Sequence, residues 1–231
     1  MNVRALMKRG VQLLLDTLYP ERVLCLCCRD RSGGELLCDD CRKRLDKLRL
    51  KDNRLDASAL QIEAADVRAV WRYRHEASQL VRQLKLHCVR NAAEVMAQAM
   101  AEEAARMELP PDTVVTSVAM PQRRIRQRGI DHGRLLAEMV AAQLGLPYRP
   151  LLMRSPGGHT QRGLNRRRRL ANLQGRFTAN PLSGEHVLLV DDVLTTGATA
   201  AVCTRVLLDA GAGSVRVIAA THVIREESAD V

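Results

Sequence analysis

The sequence predicts an α/β protein: a parallel, doubly wound sheet with a small cysteine-rich metal unit near its N-terminus. Three observations predict it. From Val67 onward, short apolar runs that read as strands alternate with longer amphipathic runs that read as helices, the order of βαβ units. The run Val187-Leu-Leu-Val190 is apolar without alternation, as in a strand covered on both faces. Two C-x-x-C pairs, Cys25…Cys28 and Cys38…Cys41, are separated by nine residues, a spacing that lets four thiolates surround one Zn²⁺.

The elements follow in order. Residues 3–18 place Met7, Val11, Leu14 and Leu18 on one helical stripe, and Pro20 ends the helix. Such a helix packs the small unit against a neighbour, or lies on a membrane surface or partner through Arg4, Lys8 and Arg9. The metal unit is expected over residues 20–50, with Cys25, Cys28, Cys38 and Cys41 as zinc ligands and Gly33-Gly34 turning the chain between the pairs. Cys27 is surplus, and an exchange of roles between Cys27 and Cys28 stays open. Four thiolates leave no open position for water, so the expected zinc is structural. A redox dithiol is disfavoured, because no strand-to-helix junction carries these pairs. Residues 42–66 read as a helical start followed by a linker. The main domain is expected over residues 60–231. In it, Val67–Tyr73 alternates like a strand, 76–86 and 90–107 read as helices, and Pro110-Pro111 breaks the second. Val114–Val118 is a buried strand, and 134–144 is a helix closed by Gly145 and Pro147. Val187–Val190 and Val215–Ala220 are strands on either side of a helix over Ala200–Ala210 that stops at Gly211. The isolated Cys88 and Cys203 fall in predicted helices, as small buried apolar residues.

Composition narrows the function classes. The chain of 231 residues has 36 Lys and Arg against 26 Asp and Glu, a formal charge of +10, which favours anionic ligands, phosphorylated metabolites and nucleic acid alike. Aromatic content of 2% argues against a base-stacking platform. Five of the seven cysteines lie within residues 25–41, as a metal site in a reducing compartment would have them. Gln12 and Asp16 interrupt the N-terminal apolar run, so a signal peptide is not expected. No stretch is long enough to span a membrane, and a cytoplasmic location is expected. Neither GxGxxG nor GxxxxGK[ST] is present, which removes the dinucleotide and P-loop readings.

The stretch Glu185–Thr199 carries the chemistry. Asp191 and Asp192 follow the apolar run where the strand is expected to end, and Thr195-Thr-Gly-Ala-Thr199 leads into a helix. The first N–H groups of a helix have no internal partner and bind anions, and Gly197 lets the backbone curl around a phosphate. The acid pair suits sugar hydroxyls, or a Mg²⁺ that bridges to a diphosphate. One ligand asks for all of this: a ribose 5-phosphate that carries a Mg-diphosphate. Two basic segments answer the diphosphate. Ser117–Gly129 begins at a strand's C-terminal end and offers Ser117, Val118, Arg124 and Arg128. Gly157–Asn172 carries Arg166–Arg169 after Gly157, Gly158 and Gly163, as a mobile lid or as a solvated face that tracks nucleic-acid backbone.

The Glu185–Thr199 stretch resembles the signature of type I phosphoribosyltransferases, which bind 5-phosphoribosyl 1-diphosphate (PRPP). The resemblance implies that Asp191 and Asp192 hold ribose hydroxyls and that Thr195, Thr196, Gly197, Ala198 and Thr199 hold the 5′-phosphate. A longer series is similar to the ComF/GntX family: the four-Cys ribbon, Trp71-Arg-Tyr…Leu84-Lys85, the Arg-Gly segment, Thr160-Gln161…Arg169…Asn172…Phe177 and the PRPP signature, in that order. Two stretches depart from the family pattern. Its Arg-Gly-Phe-Asn-Gln stands here as Arg128-Gly-Ile-Asp-His132, and its proline near 119 is Ala119. The family implies a type I phosphoribosyltransferase fold behind a zinc ribbon, and a link to the uptake or use of extracellular DNA. It also implies pentosyl transfer in nucleotide salvage, with Mg²⁺ accompanying PRPP, Arg169 as a catalytic lid residue and PRPP or a phosphoribosylated nucleotide as ligand. DNA, DNA-uptake proteins and a second copy of the chain are the expected macromolecular partners. Two rival functions remain open at this point: a non-catalytic PRPP sensor or adaptor, and a DNA-handling protein with a vestigial sugar-phosphate site.

Overall fold

The computed structural model describes residues 24–30, 32–87, 90–155 and 175–224. The expected N-terminal helix over 3–18, Cys88 and the 157–172 segment with Arg169 lie outside the described residues. Four strands form a parallel sheet: β1 (Asp66–Arg72), β2 (Val114–Ser117), β5 (His186–Leu194) and β6 (Ser214–His222), in the order β1-β6-β5-β2. The helices are α1 (Asp39–Asp46), α2 (His75–His87), α3 (Arg90–Ala104), α4 (Gln122–Arg128), α5 (His132–Leu144) and α6 (Ala198–Asp209). A separate antiparallel pair, β3 (Leu152–Arg154) with β4 (Phe177–Ala179), lies between α5 and β5 in the chain.

The unbroken apolar runs are explained by burial on both sides. In β5, Leu188 and Val190 enter a core with residues of α2, α3 and α5, while Val187 and Leu189 enter a second core with residues of α6 and the β3–β4 pair. β6 divides the same way, Ile218 and Ala220 to the first core and Val215, Val217 and Ala219 to the second. The period of two along each strand thus feeds two cores, as a sheet with helices on both faces requires. The expected parallel, doubly wound α/β architecture is present. Among the described residues no helix is long and apolar enough to cross a membrane.

Three details differ from the sequence reading. β5 does not end before the acid pair: its ladder with β6 continues through Asp191↔Ala219 to Leu194↔His222, so both carboxylates sit inside the strand. The expected linker covers an edge of the sheet. Residues 48–55 run antiparallel along β1, with Leu50 N–H donating to the Val70 carbonyl (3.0 Å) and Leu55 N–H to that of Val67 (2.7 Å). Its Asn53 joins a buried charge cluster: Asn53, together with Arg68 and Arg106 of other segments, donates to Glu103, which is 2% exposed. Finally, the 117–129 segment contains a short helix, α4, and the helix of 90–107 stops at Ala104.

The cysteine-rich stretch packs onto the main core. Cys25, Leu26, Cys27, Leu37, Cys41 and Leu45 share one buried cluster with Trp71, Ala77, Leu80 and Leu84.

Candidate functional site

The C-terminal ends of β2 and β5 open into a cleft of about 250 Å³, the place where open α/β sheets bind ligands. Its floor is Val190–Val193 of β5, and its wall is Val118–Pro121 after β2. α2 contributes Lys85, α4 contributes Arg124 and Arg128, α5 contributes His132, and β3 contributes Arg154.

The acid pair is asymmetric. Lys85 Nζ stands 2.6 Å from Asp192 Oδ1, and His132 Nε2 stands 3.6 Å from Asp192 Oδ2. Both oxygens of Asp192 are therefore occupied by protein groups. Burial would raise its carboxyl, but His132 and Lys85 outweigh burial and hold it below the usual carboxylate range. Asp191 shows the opposite shift. Burial and the neighbouring Asp192 charge push it up to about 7, with Lys85 opposing. One Asp191 oxygen accepts from the Asp192 N–H at 2.8 Å. His132 Nδ1 faces Arg128 Nη1 at 3.3 Å; a guanidinium only donates, so Nδ1 accepts and Nε2 carries the proton toward Asp192. Asp131, where the family pattern has Asn, accepts from Arg134 N–H at 3.0 Å and caps α5, which places His132 at the helix start in the cleft.

Positive charge crowds the opposite wall. The Arg154 guanidinium lies over the Phe177 ring, 5.0 Å from its centre. Burial, then the charges of Arg124 and Arg176, lower its pKa, so an anion in the cleft would relieve a local excess of positive charge.

The threonine loop joins this cleft at one residue. Gly197 takes φ +73° at the N-cap of α6 and brings no side-chain cap of its own. Thr199 lines the cleft, whereas Thr195, Thr196, Gly197 and Ala198 lie beside it. Thr195 is exposed, and Thr196 Oγ1 is 3.5 Å from Ala198 N–H. The loop rests on the 57–62 turn: a Cβ on Gly197 would stand 3.1 Å from the Leu60 carbonyl oxygen. Among the diphosphate-side candidates, Val118, Arg124 and Arg128 line the cleft. Ser117 does not. Its hydroxyl is 3.1 Å from the Tyr148 hydroxyl, in a neighbouring cavity behind the 119–120 wall.

The second candidate centre is the cysteine cluster. The Sγ atoms of Cys25, Cys28, Cys38 and Cys41 all lie within 4.8 Å of one another. Cys28 and Cys38 Sγ are 3.7 Å apart. A tetrahedron with metal–sulfur bonds of about 2.3 Å has edges of about 3.8 Å, so the spacing fits zinc, and it is far too long for an S–S bond of about 2.0 Å. Burial opposes the Cys25 thiolate, but the backbone N–H groups of Cys38, Cys28 and Cys27 bring its pKa down to about 7. Arg44 donates to Cys41 Sγ at 2.9 Å. Cys27 stands apart, with its thiol toward the Glu76 carbonyl (3.9 Å) and its pKa pushed up to about 12 by burial and the Cys25 charge. Geometry thus groups Cys28, and not Cys27, with the other three sulfurs.

No family model matches the chain. Curated relatives do. "DNA utilization protein YhgH" of Salmonella typhi is 37% identical over 147 residues, which are 61% of this chain and 64% of the relative. The protein of that name from Escherichia coli K12 is 37% identical over 109 residues, 46% of this chain and 48% of the relative. The chain is thus similar to proteins named for DNA utilization over part of its length. The matches span about half to just under two thirds of those relatives' length. Among solved structures, glutamine phosphoribosylpyrophosphate amidotransferase from B. subtilis, complexed with ADP and GMP, is similar at 23% identity with a TM-score of 0.38, over 55% of this chain and 25% of that one.

Sequence reasoning singled out neither His132 nor Arg154 as site residues, and it named Lys85 only as part of the family pattern. His132 carried a signal, since it replaces the family's Gln.

Proposed function

We propose that the cleft binds Mg-PRPP or a phosphoribosylated nucleotide, and that the chain transfers a phosphoribosyl group in nucleotide salvage linked to DNA use. One observation carries this reading: an acid pair at the sheet's C-terminal edge floors a cleft walled by Lys85, Arg124, Arg128 and Arg154, beside the start of α6 at Gly197. Hydroxyl acceptors and anion donors line the same cleft. Asp191, whose carboxylate is not ion-paired among the described residues, is the acceptor for ribose hydroxyls. The first-turn amides of α6 and Thr199 take the 5′-phosphate. Arg124, Arg128 and Arg154 orient the diphosphate and stabilise the charge that gathers on it as it departs. Arg169 adds to that stabilisation. Mg²⁺, when bound, would supply charge neutralisation on the diphosphate, and Asp191 would offer it a carboxylate oxygen. Cys25, Cys28, Cys38 and Cys41 hold a structural Zn²⁺.

The test is isothermal titration with Mg-PRPP, followed by a screen of free bases for diphosphate release. Binding with release in the presence of one base supports transfer. Binding without release by any base leaves a PRPP sensor, and no binding of PRPP or ribose 5-phosphate at millimolar concentration removes the reading.

A further inference from the structure

The two aspartates of the pair do different work, and Lys85 is what separates them. A cleft built for a polyanion should not present two adjacent carboxylates, since like charges in a partly dry site repel the ligand as well as each other. The structure answers this with a fixed cation. Lys85 comes from the last turn of α2, where the helix's own C-terminal dipole favours positive charge. Its ammonium contacts Asp192 at 2.6 Å, and the carboxylate is 9% exposed against 33% for the lysine. The remaining Asp192 oxygen faces His132, and its main-chain carbonyl accepts from Thr221 Oγ1 at 3.0 Å. Asp192 is thus held on three sides by groups of the protein itself.

We propose that Lys85 is a positioning residue that acts as a built-in counterion for Asp192. In the bound site its ammonium stays on the carboxylate, cancels that charge in front of the incoming diphosphate and leaves Asp191 alone to meet the sugar. This deepens the sugar-phosphate reading of the cleft and rests on it for the identity of the natural ligand. It differs from a direct anion contact by Lys85, and from a site in which both carboxylates are offered to the ligand.

The test uses inorganic diphosphate without Mg²⁺, titrated into the full-length wild type, Lys85→Met, Asp192→Asn and the double variant. With the counterion removed, Lys85→Met should bind diphosphate at least tenfold more weakly, because a buried carboxylate is left uncompensated beside the anion. Asp192→Asn frees the ammonium and should bind several-fold more tightly than wild type. The double variant restores the pair's net charge and should return to within about threefold of wild type. Lys85→Arg should retain most of the affinity. If Lys85→Met fails to fold, the Asp192→Asn and double variants still decide. A double variant as weak as Lys85→Met would show that Lys85 grips the anion directly and would overturn the assignment. So would an Asp192→Asn protein no tighter than wild type, or a wild type that binds no diphosphate. Failure of PRPP to bind while the diphosphate pattern holds would remove the proposed function and leave the role of Lys85 standing.

Discussion

Gly197→Ala tests the threonine loop most directly, because its cost divides into two parts that a control separates. At φ +73° an alanine pays roughly 1–2 kcal/mol for the left-handed backbone. The added methyl would also stand 3.1 Å from the Leu60 carbonyl oxygen, 3.2 Å from Leu60 Cβ and 3.3 Å from Ile62 Cδ1. Two of these neighbours belong to the Leu60 backbone and its first side-chain carbon, which cannot turn aside, so overpacking adds about 1–3 kcal/mol. The sum, about 2–5 kcal/mol, corresponds to a fall in Tm on the order of 10 °C for a chain of this length. Gly145 is the control. It has φ +66°, and a Cβ there meets nothing within 4 Å, so Gly145→Ala should lose only the backbone part. Both variants are to be melted by circular dichroism and titrated with ribose 5-phosphate. Gly197→Ala should also bind that ligand more weakly, because the loop must shift off the 57–62 turn. Equal melting of the two variants would refute the packing of the loop on Leu60 and Ile62.

The remaining predictions concern the metal, the acid pair and the basic segment. Protein purified without added metal should contain about one zinc per chain; Cys38→Ser should lose it and Cys27→Ser should keep it, as measured by elemental analysis. Asp191 has its pKa raised from 3.8 to about 7, so its contribution to stability is fully present below about pH 4 and is lost as pH rises through about 7. Asp191→Asn, which is neutral throughout, should therefore flatten the fall in Tm between pH 5 and 8 while weakening PRPP binding, and an unchanged slope would clear Asp191 of that role. Arg169→Ala should leave the PRPP Kd within a few-fold of wild type and cut diphosphate release on the order of a hundredfold, the mark of an interaction made mainly in the transition state. Equal losses in both measurements would count against a catalytic lid.

The parts of the fold legible in the sequence are those decided locally. Val187–Val190 announced a strand because both of its faces are buried, and Cys25, Cys28, Cys38 and Cys41 announced their cluster because pairs of ligands are close in sequence. What escaped was decided by distant partners. β5 runs on through Asp191 and Asp192 because β6 offers it a ladder as far as His222, and local pattern carries no trace of that pairing. β3 and β4 have three residues each, too short for a period to show, and they pair across the chain between them. The 48–55 segment looked like a linker because it is polar. Its Asn53 donates to Glu103, and its Arg49 and Arg54 pair with Glu102 and Asp66, all of which lie on other elements. Within the site, Asp192 was visible as an acid, but its engagement by Lys85 and His132 depends on the placing of α2 and α5 around the end of β5.

α2 is fastened at both of its ends. In its first turn Glu76 is paired with Arg44, whose guanidinium also donates to Cys41 Sγ; near its last turn Lys85 is paired with Asp192. Nine residues separate the two attachments, about 14 Å along a helix that is rigid between them. A strut pinned at both ends transmits displacement rather than absorbing it. If the sulfur cage opens, Arg44 loses one of its two holds, and an axial slip of α2 by about one residue rise, 1.5 Å, would stretch the 2.6 Å contact at Asp192 to the limit of an ion pair. The sulfur cage and the ammonium that Asp192 meets in the cleft are thus joined through one helix.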